Sequence, residues 1–162
     1  MRVLGVDPGL VRTGWALVRS VEQGYHLEAS GLITPTRESE LEARLAEGYV
    51  RFQAVLQECK PDAVILEDVF SAPQHPKAAL LMAHMRGVLC LACGQAGIAV
   101  EGLTATNVKQ RLTGNGHASK EQVQGMVQRL CNLERRQMRA DVSDAIALAV
   151  AGLNQLTAAV AR

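Results

Sequence analysis

Four acids stand where a carboxylate is costly. Asp7 closes the apolar run MRVLGV, Glu67 lies inside VILEDVF, and Asp141 and Asp144 head the apolar stretch RADVSDAIALAVAG. Burial at the edge of a core strips water from a charge, so each acid needs compensation. Local compensation is open to each of them. Asp7 can form an Asx turn with Pro8 and Gly9, and Glu67 can be a strand-end surface acid beside Asp68. Asp141 can cap a helix, and Asp144 can sit in its first turn, where the dipole favours it. A shared site is the other reading. If the strands around Asp7 and Glu67 are neighbours, the two acids meet at one end of a sheet. The three-residue spacing of Asp141 and Asp144 puts both on one side of a helix. Several carboxylates in one cleft repel unless cations neutralise them, and hard oxygen donors suit Mg²⁺ or Mn²⁺. Two such ions roughly 3.5–4 Å apart are one solution to phosphodiester hydrolysis.

The elements that must position these acids are legible from periodicity. Residues 1–7, 13–20 and 24–34 are rich in strand formers and joined by short turns, which predicts an antiparallel meander. Leu41, Leu45, Tyr49, Phe52, Leu56 and Cys59 recur at helical spacing, predicting a helix over 38–59 that Pro61 stops. A buried strand is expected at 62–70, a loop at SAPQHP, an almost wholly apolar helix at 77–95 and a fifth strand at 98–103. TATNVKQRLT is expected to form a short helix starting on a Thr cap, SKEQVQGMVQRLC a helix capped by Ser119, and 140–159 the last helix. The order β-β-β-α-β-α-β-α-α-α predicts an α/β three-layer arrangement, a mixed five-stranded sheet flanked by helices.

Composition narrows the class. The 162 residues suit one domain with one sizeable core, and at 48% apolar but 3% aromatic that core is built of Leu, Val, Ile and Ala. No uninterrupted stretch of about 18 apolar residues, the length of a membrane span, exists, and no signal pattern opens the chain, so a cytoplasmic protein is expected. Cys90 and Cys93 form the one C-x-x-C, without a second ligand pair for zinc, and all four cysteines are expected to be free thiols. The net charge of +1 conceals an asymmetry: residues 1–70 carry 7 basic and 11 acidic side chains, residues 71–162 carry 10 basic and 5 acidic. The excess gathers between Lys109 and Arg139. It is either the footprint of a polyanion or a solvated helical face.

Five stretches together resemble the RuvC-type Holliday-junction resolvases of the RNase H-like superfamily: LGVDPGLVRTGWA, ILEDVF, RGV at 86–88, VKQRLTGNGHASKEQVQGMV and ADVSDAIALA. The resemblance covers nearly the whole chain. It implies an RNase H-like fold, with Asp7, Glu67, Asp141 and Asp144 as catalytic acids holding two Mg²⁺ per site, Mn²⁺ substituting. It implies a homodimer that nicks a four-way DNA junction symmetrically and works beside a branch-migration motor. DNA contacts are implied for Phe70, Arg86, Lys109, Gly114, Gly116 and Lys120. Phe70 is either a wedge that opens base steps at the crossover or a strand-end core residue. Two departures stand out: Ala105 replaces a proline of many relatives, and SAPQHP lacks the lysine some carry. The apolar helix 77–95 needs burial on two sides, by the sheet and by either a partner subunit or another helix of the same chain. One rival, the ATPase group of actin and the sugar kinases, shares a phosphate loop like GVDPGLVRTGWA but needs a second such domain, for which the chain is too short.

Overall fold

The computed structural model describes residues 1–69, 76–133 and 138–160. Among these residues, five strands and five helices follow one another in the expected order. They are β1 (Arg2–Asp7), β2 (Thr13–Val21), β3 (Gly24–Ile33), α1 (Leu41–Cys59), β4 (Ala63–Glu67), α2 (Pro76–Gln95), β5 (Ala99–Leu103), α3 (Ala105–Thr113), α4 (Lys120–Leu130) and α5 (Ala140–Val160). The sheet runs β3-β2-β1-β4-β5. β1, β2 and β3 pair antiparallel, while β4 pairs parallel with both β1 and β5.

Residues on β1 and β4 alternate between two cores, as the period of two requires. Leu4, Val6, Val64 and Leu66 face α1 and α2 and join Phe52, Leu56, Met85 and Leu89. Val3 and Ile65 face the other way, into a core with Val108, Val127, Ile146 and Val150 from α3, α4 and α5. Three layers result, with both strands covered on both faces. α5 crosses β1 at a glycine. A Cβ on Gly5 would stand 2.1 Å from the Ala145 carbonyl oxygen and 2.5 Å from the Ala149 nitrogen. Only glycine lets this helix lie so low on the sheet.

Two boundaries differ from expectation, the start of α1 and the end of β4. α1 begins at Leu41, with Glu40 as its cap residue, and ends where Lys60 takes a left-handed φ of 44° ahead of Pro61. β4 is shorter than 62–70: it stops at Glu67, level with Leu103 at the end of β5. α2 is long and apolar enough to cross a membrane by composition. Here it packs on α1 and buries Met85, Leu89, Ala92 and Cys93, while Leu80 and Leu91 stay 63% and 56% exposed. A helix of the same chain therefore covers one side of α2, and part of its apolar surface is left over. The four cysteines are free thiols.

Candidate active site

Parity carries Asp7 and Glu67 to the same place. Asp7 shares the strand face of Val3 and Gly5, and Glu67 shares that of Ile65, so both carboxylates point toward α5. β1 and β4 pair in register from Val3–Ala63 to Val6–Leu66, which puts Asp7 and Glu67 next in line at the shared strand ends. The head of α5 brings Asp141 and Asp144 to that end. Asp68, one residue on, has the opposite parity and turns away.

The two central acids are close enough to share a hydrogen bond, and their surroundings favour a proton there. Burial first, then the Glu67 carboxylate, pushes Asp7 up from 3.8 to about 8; Asp144 and Asp141 push in the same direction. Burial likewise raises Glu67, with Asp144 adding to the effect. Cations hold the outer two acids. Lys120 Nζ lies 2.9 Å from Asp144 Oδ2, and Arg12 Nε lies 3.2 Å from Asp141 Oδ2. Hydrogen bonding to Asp144 raises Lys120 in turn. With two carboxylates turned to these cations, no set of three or more His, Cys, Asp or Glu side chains among the described residues closes into a ready metal shell. The donor set still fits divalent cations. It is all oxygen, it is partly desolvated, and its charge exceeds what Lys120 and Arg12 neutralise.

Glu67 and Asp144 open onto a cleft of about 210 Å³, lined also by Val108, Lys109, Lys120 and Val123. Local chemistry sets each wall. The Thr104 hydroxyl accepts from the Asn107 nitrogen at 3.1 Å and starts α3, which carries Lys109. Ser119 and Gln122 form a reciprocal capping box that starts α4 and fixes Lys120 at its first position. Lys109 lines the cleft and makes no ion pair among the described residues. Gly114 ends α3 with φ 75°, a left-handed turn that suits glycine, and Gly116 packs against Thr106 and Gln110. Arg86 is turned inward: its guanidinium bonds the Glu67 carbonyl and the Asp68 carboxylate. Phe70 lies outside the described residues, as do Arg135 and Arg136 of the basic stretch.

Arg12 was not singled out by sequence. The available signal was its place as the one cation in the loop between β1 and β2. That loop is itself locked, because the Thr13 hydroxyl donates to the Gly9 carbonyl at 3.0 Å and accepts from the Gly9 nitrogen at 3.2 Å.

A pH dependence follows from Asp7. Its folded value of about 8 lies above the unfolded 3.8, so the folded state keeps a proton that the unfolded chain has lost. Stability of the metal-free protein is therefore expected to fall as pH rises from about 4 to about 8, by up to a few kcal/mol, and then to level off. Thermal unfolding in EDTA across this range tests it. Added Mg²⁺ is expected to flatten the slope, and a slope of opposite sign would contradict the buried acid pair.

An α/β sheet of this order, with acids converging from β1, β4 and the last helix, defines the class: an RNase H-like nuclease. The family model for crossover junction endodeoxyribonuclease RuvC matches residues 3–152, and this chain belongs to that family. The RuvC of Rhodopirellula baltica is 40% identical over 150 residues, covering 93% of this chain and 84% of the relative. That of Geobacter sulfurreducens is 40% identical over 154 residues, covering 95% and 93%. Among solved structures, Thermus thermophilus RuvC in complex with Holliday junction substrate superposes with a TM-score of 0.89 at 27% identity, covering 98% of this chain and 96% of that one.

Proposed function

We propose that this chain is a metal-dependent endodeoxyribonuclease that resolves four-way DNA junctions by paired, symmetric nicks, as one nuclease domain spanning residues 1–162. Asp7, Glu67, Asp141 and Asp144 are its catalytic acids. The observation that carries the reading is the clustering of these acids, two of which, Glu67 and Asp144, line a cleft whose other wall presents Lys109 and Lys120. In the reaction, water adds to phosphorus and the bond to the 3′-oxygen breaks, leaving 5′-phosphate and 3′-hydroxyl ends.

When bound by the four acids, two Mg²⁺ ions, or Mn²⁺ in their place, would supply Lewis-acid stabilisation of the phosphate and an activated water. The chain's own part is positional and electrostatic. Asp7 sits on the central strand among the other acids and would be the ligand best placed to serve both ions. Lys109, unpaired among the described residues, is free to meet a phosphate oxygen. Lys120 already carries a carboxylate contact, and exchange to phosphate keeps its charge neutralised. Gly114 and Gly116 keep the loop between α3 and α4 slim beside the DNA. Phe70, three residues past Glu67, is assigned to stacking at the crossover.

Leu80 and Leu91 on α2 are the apolar surface that a second copy would cover, which supports a homodimer presenting two sites to one junction. A branch-migration motor as partner and a cytoplasmic location belong to the same reading.

A cleavage assay comparing a synthetic four-way DNA junction with an RNA–DNA hybrid tests the substrate class. Mg²⁺-dependent, symmetric nicking of the junction is expected, at least about tenfold faster than cutting of the hybrid, a difference of about 1.4 kcal/mol in barrier. Preference for the hybrid would assign the site to RNA cleavage instead.

A further inference from the structure

Asp68 stands directly beside Glu67, the acid that the sequence names for the site. The structure separates them and gives the second a different task. β4 ends at Glu67, so the Glu67 carbonyl is at the strand terminus. It accepts a hydrogen bond from Arg86 Nε of α2 at 3.0 Å. The same guanidinium reaches Asp68 Oδ1 through Nη2 at 2.5 Å. The Asp68 backbone nitrogen donates to the Leu103 carbonyl of β5 at 2.9 Å. The Asp68 carboxylate rests over Gly102, where a Cβ would come within 2.3 Å of Oδ1 and 2.5 Å of Oδ2. The peptide that follows Glu67 is thus held from three sides: by β5 through its nitrogen, by α2 through its side chain, and by the notch at Gly102.

We infer that Arg86 and Asp68 form a clamp that positions Glu67, and that Arg86 acts in cutting through Glu67 rather than by touching DNA. The inference rests on the reading of Glu67 as a metal ligand. A strand-end side chain inherits the freedom of its own backbone, and a ligand that wanders binds its ion weakly. A planar fork can hold a carbonyl and a carboxylate at once; an ammonium on a flexible stem cannot hold both in the same geometry.

The test uses the full-length protein and Mn²⁺ alone as probe, with affinity read by titration calorimetry. Arg86→Ala is expected to weaken Mn²⁺ binding by about 10–100-fold. It is also expected to lower kcat for junction cutting with KM unchanged, and to bind junctions in EDTA as the wild type does. Arg86→Lys keeps the charge and is expected to fail in the same way; it decides the question if Arg86→Ala does not fold. Folded Arg86 variants that bind Mn²⁺ as tightly as the wild type would overturn the clamp. So would a tenfold loss of junction affinity with Mn²⁺ affinity intact, which would make Arg86 a DNA contact. Glu67→Gln is measured alongside. If it loses Mn²⁺ affinity while the Arg86 variants do not, the clamp alone fails. If it binds Mn²⁺ normally, the assignment of Glu67 fails and takes the clamp with it.

Discussion

Asp7→Asn is expected to lower junction cutting by at least about three orders of magnitude, about 4 kcal/mol of barrier, while leaving junction affinity in EDTA within a few fold of wild type. Asp7 lies among the other three acids, so its loss removes the ligand proposed to serve both ions. The basic residues proposed to meet phosphates are untouched. The same change carries a second, opposite signature. Asp7 is pushed up to about 8 because burial and Glu67 oppose its charge. A neutral amide of the same shape relieves that opposition. At pH 8 without metal, Asp7→Asn is therefore expected to melt higher than the wild type and to gain less from added Mg²⁺. Loss of activity with a gain of stability is the mark of a residue retained for function. Substantial Mg²⁺-dependent nicking by a clean preparation of the mutant would count decisively against the assignment.

Gly5→Ala is expected to destabilise the fold by about 3 kcal/mol or more, because the added methyl meets the backbone of α5 rather than the end of a flexible side chain. For a chain of this size the melting temperature falls by about 6–12 °C. The damage is not confined to the core. Asp144 precedes Ala145, whose carbonyl the new Cβ would strike, so lifting α5 from β1 also moves Asp144 from Glu67 and Asp7. Mn²⁺ affinity of the folded fraction is expected to fall with stability. A variant that melts with the wild type would show that α5 does not lie against β1 as described.

The order and type of the elements were readable from the sequence because each is a local matter. Runs of strand formers joined by short turns make β1 to β3, the three- and four-residue spacing from Leu41 to Cys59 makes α1, and Ser119 with Gln122 starts α4 by a contact three residues apart. The identities of the four acids were readable too, since an acid inside VILEDVF or heading an apolar helix is locally expensive. Their grouping into a family pattern came from resemblance across five separated stretches. Tertiary structure decided what depends on residues far apart in the chain. Only the register of β1 against β4 sets Asp7 beside Glu67. Strand parity alone leaves open which neighbour receives Asp68, and the answer lies 18 positions on, at Arg86. Pairing of Arg12 with Asp141, and of Lys120 with Asp144, joins loops and helices that share no local pattern. The raised value of Asp7 has the same origin. A carboxyl shifts this far only when burial and other acids act on it together, and both are properties of the folded chain.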